Sequence, residues 1–306
     1  MIDIVNIFGR DLKMRTHNCS LFEKEGTPLD SLGINLYIRT KFCNSKCDFC
    51  IYHSDAEKWN WDKFHESMSE IVSKVPIRKI AISGGEPTLY WDNFVRLSEE
   101  CRRYAPDCEF TVTTDGFRFE KLMTSDVVKI YDYIQLSRHH YDDRVNDSIF
   151  KSRTPTTEDI IQYSKYKTSQ NQFQIRCNLI KGFIDSKEEV FRFLEWVGSV
   201  GINNVGIISL MPVNDFSKEN FIKFHMKDLI SDNFFLLKEW SYNGSCECVN
   251  YVYMSDNFDF PIRVYHKNTF KPSNMTETLV FDGSNLRIGF DGDVINQSSE
   301  KIFHKV

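Results

Sequence analysis

Between residues 33 and 213, segments that read as strands alternate six times with segments of helical spacing. The strand-like runs are Gly33–Arg39, Lys79–Ser83, Glu109–Thr114, Tyr133–Ser137, Gln172–Ile180 and Asn204–Leu210, the last closed by Pro212. Between them, apolar residues recur at helical intervals: Phe64, Met68, Ile71 and Val72 within Trp61–Val75, then Phe94, Val95, Leu97 and Cys101 within Asp92–Tyr104. A third helix is expected over Phe119–Ile130. A fourth is expected after a long loop, with Thr157 as N-cap and Glu158 and Asp159 in its first turn, and a fifth from Ser186. This alternation predicts an α/β fold whose parallel strands are joined by right-handed crossovers. In a barrel of that kind the chemistry gathers in the loops at the C-terminal ends of the strands.

Two such loops carry unusual residues. After the first strand, Phe42-Cys43-Asn44-Ser45-Lys46-Cys47-Asp48-Phe49-Cys50 places three cysteines at C-x3-C-x2-C spacing. Thiolates are the ligands that soft iron sites prefer, and three of them leave one iron of a four-iron cube without a protein ligand. An open coordination position is what a metal site keeps when it does chemistry. A structural zinc site is the alternative reading; it needs a fourth ligand, for which His53 is the nearest candidate, and zinc spacings usually join two close pairs instead. After the second strand comes Gly84-Gly85-Glu86-Pro87, whose glycines permit close backbone approach and whose carbonyls and carboxylate accept hydrogen bonds from an ammonium group.

Together the two motifs, one β/α unit apart and in this order, resemble the signature of the radical S-adenosylmethionine (radical SAM) superfamily, down to the aromatic Phe49 before the third cysteine. The resemblance covers about Gly33 to Val213 and implies a partial (β/α)6 barrel of the TIM type. It implies that Cys43, Cys47 and Cys50 hold a [4Fe–4S] cluster, that S-adenosyl-L-methionine occupies the open iron, and that reductive cleavage releases a 5′-deoxyadenosyl radical. By the same resemblance Gly84, Gly85, Glu86 and Pro87 receive the methionine amino group and Ser137 lies near its carboxylate. Asn178 would hold the ribose, and Met211 would pack on the adenine. Thr114 and Asp115 match a Thr-Asn-Gly found in relatives, except that Asp replaces Asn. Where many relatives have a single Asp after the serine, this chain has Arg138-His139-His140; these three are the expected substrate-side residues, Arg138 pairing an anion and a histidine exchanging a proton.

The barrel is expected over residues 33–216, with residues 1–32 as a leader packed on it. Residues 217–306 form a C-terminal α+β extension that closes the barrel and shapes the substrate pocket. That extension reads as helical through Lys238, then as short strands at Val249–Met254, Ile262–His266 and Thr278–Phe281. Asp282-Gly283-Ser284-Asn285 turns the last of these into a hairpin. Relatives in the molybdenum-cofactor cyclase and peptide-maturase branches hold further clusters in this region; here only Cys246 and Cys248, with the distant Cys19, are on offer, so a full auxiliary set is not expected. A net charge of −5 argues against a nucleic-acid polymer as partner. No apolar run is long enough to span a bilayer, and the N-terminus lacks the pattern of a signal peptide, so a cytoplasmic location is expected. The expected partners are a small-molecule substrate, nucleotide-like or peptidic, and an electron donor such as flavodoxin or ferredoxin. The rival is a non-catalytic iron–sulfur or zinc sensor, which leaves Gly84–Pro87 and the β/α alternation without a purpose.

Overall fold

The computed structural model describes residues 2–15, 33–50, 59–169, 172–222, 233–242, 246–270, 276, 278–290 and 292–297. Cys19 and His53 lie outside the described residues, as do the side chains of Cys246 and Cys248. An antiparallel hairpin, β1 (Ile2–Ile7) and β2 (Arg10–Arg15), opens the chain. It is followed by β3 (Ile34–Thr40), α1 (Trp61–Lys74), β4 (Ile77–Gly84), α2 (Trp91–Tyr104), β5 (Glu109–Thr114), α3 (Phe119–Thr124) and β6 (Tyr133–Ser137). Then come α4 (Asp143–Phe150), α5 (Thr157–Tyr163), β7 (Phe173–Leu179), α6 (Lys187–Ser199), β8 (Asn204–Ser209) and α7 (Asp215–Glu219). Five strands complete the described chain: β9 (Phe234–Tyr242), β10 (Cys246–Tyr253), β11 (Ile262–Phe270), β12 (Thr278–Phe281) and β13 (Leu286–Ile288).

All six expected strands form, and they pair in chain order as parallel neighbours. The expected third helix is divided: α3 stops at Thr124, Ser125 is extended, and Asp126–Ile130 continues as a 3-10 turn. The cap of α5 is Thr156 rather than Thr157, in a capping box with Asp159. The expected long loop after β6 contains α4, capped by Asp142, which accepts from Val145 N. Phe234–Lys238, expected as helix, lies in β9. The Asp282–Asn285 turn joins β12 to β13 as expected.

The late strands do more than append a hairpin. β12 pairs parallel to β3 and β11 pairs parallel to β8, so the six-strand core is flanked on both sides and eight parallel strands lie side by side. Phe270 ends β11 and Thr278 begins β12 at the other flank. Eight residues reach at most about 29 Å. Seven inter-strand spacings in a flat sheet cover about 34 Å. The sheet is therefore rolled, which is the curvature of a partial barrel.

Strand alternation gives the roll two unlike faces. Ile80, Ile82, Phe110, Val112, Ile134, Leu136, Ile175 and Val205 are buried outward with Phe64 and Met68 of α1, Phe94 of α2 and Phe193 of α6 in one apolar core. Each such large side chain contributes about 1.5–3 kcal/mol when fully buried. The inward face is polar. Lys79 Nζ donates to Glu109 Oε1 at 2.5 Å, Thr113 Oγ1 to Gln135 Oε1 at 3.0 Å, and Gln135 Nε2 to Gln174 Oε1 at 3.1 Å. A closed barrel normally fills this space with branched apolar side chains; here hydrogen-bonded polar side chains stand in their place. Among the described residues no helix is long and apolar enough to cross a membrane.

Candidate cluster and substrate site

The cysteine loop leaves β3 and lies on the loop after β4. Gly85 N donates to Thr40 O at 2.6 Å and Glu86 N to Phe42 O at 2.7 Å. A Cβ at Gly85 would stand 2.2 Å from Phe42 O, and Gly84 adopts φ +110°, so both glycines are demanded by this docking alone. The loop is pinned on its far side by α4: Lys46 N donates to Phe150 O at 2.9 Å, and Cys47 Sγ lies 4.0 Å from the same carbonyl. Asn214 Nδ2 donates to the carbonyls of Asp48 and Cys50, tying in the loop after β8.

Glu86 points inward rather than toward an open ligand position. Its Oε1 accepts from Thr88 N, Thr88 Oγ1 and Thr114 Oγ1, and its Oε2 from Asp115 N at 2.8 Å. Burial, reinforced by the neighbouring Asp115 carboxylate, pushes its pKa up to about 8 against those donors. Asp115 in turn accepts from Ser45 Oγ at 2.5 Å and lies 4.0 Å from Cys43 Sγ, while Ser45 Oγ also meets Ser152 Oγ at 2.6 Å. The Asp that stands in place of Asn thus anchors the cysteine loop. Pro87 is buried at the start of a short 3-10 turn.

The three thiols share one neighbourhood. Burial raises Cys43 to about 11, with Asp115, Glu86 and Cys50 adding to it against a hydrogen bond from Ser45 N. Burial raises Cys47 further above its ordinary value, with Cys50 and Cys43 next in effect. Such sulfurs ionise only beside a compensating cation, which iron would supply, so the donor chemistry suits an iron–sulfur cluster; among the described residues no three His, Cys, Asp or Glu side chains are already gathered to hold a metal ion.

The stretch after β6 is built otherwise than expected. Arg138 is 1% exposed and donates to the carbonyls of His140 (2.7 Å), Pro155 (2.8 Å) and Tyr141 (3.1 Å) and to Asp143, with its guanidinium 4.9 Å from the Trp196 ring centroid. Four of its five N–H donors are spent on its own surroundings, which makes it the strut of its own loop. His139 is buried, stacked on Phe150 and edge-on to Phe49, and its Nδ1 accepts from Asn178 N at 3.0 Å. Burial first, and Arg138 second, lower its pKa to about 3, so it stays neutral and links β7 to the cysteine loop. His140 Nδ1 accepts from Asp142 N at 3.0 Å, and burial lowers its pKa too. Ser137, Asn178 and Met211, all partly exposed, stand at the C-terminal ends of β6, β7 and β8, on the same rim as the cysteines. The inward Arg176, one strand position pair below Asn178, attracted no notice in the sequence because Arg-Cys-Asn matches no motif beyond its asparagine.

The chain belongs to the radical SAM superfamily, whose family model matches residues 37–225, and the rolled parallel sheet with three cysteines on its C-terminal rim accords with that membership. Members of this superfamily bind a [4Fe–4S] cluster and S-adenosylmethionine. More particularly, the chain is 27% identical over 199 residues to a probable GTP 3′,8-cyclase of Saccharolobus solfataricus, covering 63% of this chain and 61% of that one. It is 25% identical over 188 residues to a probable GTP 3′,8-cyclase of Thermococcus kodakarensis, covering 59% and 57%. The match thus spans about three fifths of these curated relatives. Among solved structures it is similar to Streptococcus suis SuiB bound to S-adenosylmethionine (20% identity, TM-score 0.48, 65% of this chain and 46% of that one). It is also similar to Escherichia coli HemN, the coproporphyrinogen III oxidase (14%, TM-score 0.47, 61% and 47%).

Proposed function

We propose that the chain is a radical SAM enzyme that abstracts hydrogen from a small polar substrate, nucleotide-like in class, held in the lumen of the rolled sheet. The observation that carries this reading is the meeting of the cysteine loop, the Gly84–Pro87 loop and Asp115 on one rim, directly above a polar interior. Cys43, Cys47 and Cys50 would hold the cluster, which with S-adenosylmethionine supplies a 5′-deoxyadenosyl radical. The backbone of Gly84 and Gly85 would meet the methionine amino group, while Glu86 acts one step back by fixing Thr88, Thr114 and Asp115. Ser137, Asn178 and Met211 would line the rest of that cosubstrate. Residues 33–216 carry this machinery, and residues 217–306 complete its walls. A nucleotide is favoured over a peptide by the names of the curated relatives and by the polar inner face of the sheet. An electron donor of the flavodoxin or ferredoxin type would reduce the cluster.

The test is anaerobic. After reconstitution with iron and sulfide, the EPR spectrum of the reduced cluster should change on adding S-adenosylmethionine, and 5′-deoxyadenosine should form. Both should vanish in Cys43→Ala, and purine nucleotides should stimulate 5′-deoxyadenosine formation more than peptides do. A cluster that ignores S-adenosylmethionine, or zinc bound in place of iron, would overturn the assignment.

A further inference from the structure

Arg176 sits on β7 with its side chain on the inward face, between Gln174 and Asn178, while Ile175 and Cys177 point into the outer core. Its stem crosses Gly206 on the neighbouring β8: a Cβ there would lie 2.8 Å from Arg176 Cδ and 3.2 Å from Nη1. The guanidinium then reaches the Tyr265 ring of β11, 5.9 Å from its centroid. It also senses Tyr37 on β3 and Glu109 on β5, from across the roll. The cation is therefore laid along the inner wall and presented to the lumen.

What distinguishes it is the lack of a counter-charge. Its Nε is buried with no hydrogen-bond partner, and neither Nη makes a hydrogen bond or an ion pair among the described residues. Glu109, the one carboxylate it senses, is already engaged by Lys79 at 2.5 Å. The contrast with Arg138, which spends its donors on three carbonyls and a carboxylate, is complete. A guanidinium cannot shed its proton to escape burial, and a desolvated charge without a partner is costly. A planar fork of donors left open on a polar sheet face matches a carboxylate or phosphate, which it binds through two parallel bonds.

We propose that Arg176 is the seat of a compact anionic group, carboxylate or phosphate, on the molecule that occupies the lumen. This rests on the reading of the lumen as the substrate chamber and names the chemistry of the far end of that substrate. Arg176 lies two residues before Asn178, about 7 Å deeper than the rim at the rise of a strand. It would grip the anion while the reacting carbon stays near the cysteine loop. Gly206 is part of the seat, since only a bare Cα leaves the wall free for the arginine stem.

The test uses the cluster-loaded full chain at fixed ionic strength, with thermal unfolding and calorimetric titration against inorganic triphosphate, inorganic phosphate, glutarate and uncharged guanosine. At least one anion should raise the melting temperature of the wild type saturably; a phosphate or a carboxylate preference assigns the source of the charge. Arg176→Gln should weaken that anion at least about tenfold, Arg176→Lys less so. Gly206→Ala should weaken it with the charge retained. Without ligand, Arg176→Gln should melt no lower than the wild type, because it removes an uncompensated cation. The proposal is overturned if no anion stabilises the wild type, or if Arg176→Gln binds the anion unchanged. It is overturned too if Arg176→Gln is strongly destabilised while the anion response persists in Arg176→Lys and Gly206→Ala. Anion binding that fails while S-adenosylmethionine still alters the EPR spectrum sinks the seat alone; the reverse pattern sinks the functional reading alone.

Discussion

Replacing Arg138 with Ala separates two roles for the residue, because the structure predicts a loss of stability where the loop position suggested a loss of substrate binding. The substitution removes hydrogen bonds to the carbonyls of His140, Pro155 and Tyr141 and leaves Asp143 with Thr157 as its remaining partner. Each buried acceptor left unsatisfied costs roughly 1–3 kcal/mol. Breaking one side of a buried ion pair costs about 3–5 kcal/mol. These overlap, and the Asp143 side chain is 34% exposed, so water recovers part of the loss. A net destabilisation of about 3–5 kcal/mol is expected. At roughly 2–4 °C per kcal/mol for chains of this general size, the melting temperature falls by about 6–20 °C. Equilibrium urea unfolding and a thermal melt measure it, with Arg138→Lys expected in between. The pH dependence gives a second readout. Burial works against the charge of Asp143, but hydrogen bonds from Arg138 and Thr157 outweigh it and hold its pKa below the ordinary value. Its contribution is thus present above the unfolded carboxylate pKa and lost as pH falls through the lower folded one. That acid-side loss should shrink in the variant. A variant as stable as the wild type, with weakened substrate binding, would refute this account and restore Arg138 as a substrate residue.

His139, neutral in its buried site with a pKa near 3, should make the protein lose stability below pH 6.5, by about 1.4 kcal/mol per pH unit until the folded value is reached. A His139→Asn variant, whose side-chain oxygen can still accept from Asn178 N, should show a flatter acid limb in unfolding experiments; an unchanged limb would assign it elsewhere. Gly85→Ala forces a Cβ against Phe42 O and should separate the Gly84–Pro87 loop from the cysteine loop, costing about 1–3 kcal/mol and lowering the iron retained after anaerobic reconstitution. Full iron loading in Gly85→Ala would show that the two loops are not mechanically joined.

Much of this was legible in the chain beforehand. Six strands of the sheet announced themselves because each is flanked by helices whose apolar spacing is regular, and the cysteines and Gly84–Pro87 because their chemistry is tied to spacing. Arg138 misled because its position in a loop beside two histidines says nothing about where a long side chain folds back; its partners are backbone carbonyls, which no sequence displays. Arg176 was overlooked for the mirror reason: within an ordinary strand, the missing counter-charge is a property of seven neighbouring strands. α4 is eight residues long, too short for periodicity to rise above its loop, although Asp142 followed by Val145, Ile149 and Phe150 carries a readable start. Phe234-Phe235-Leu236-Leu237 is a continuous apolar run, which fits a buried helix or a strand equally until its neighbours are known.

The two flanking strands carry a consequence for how the molecule is made. β3 and β8 are the outermost members of the six-strand core, and each is covered by a segment synthesised later, β12 and β11. Until the ribosome has released β11 the nascent sheet has two bare, apolar-backed margins, and until it has released β12 it still has one, the kind of surface that recruits other chains. Cotranslational chaperoning, and expression yield in truncations ending between residues 216 and 262, should therefore be governed by these margins and not by the cysteine loop, which is complete long before either of them is sealed.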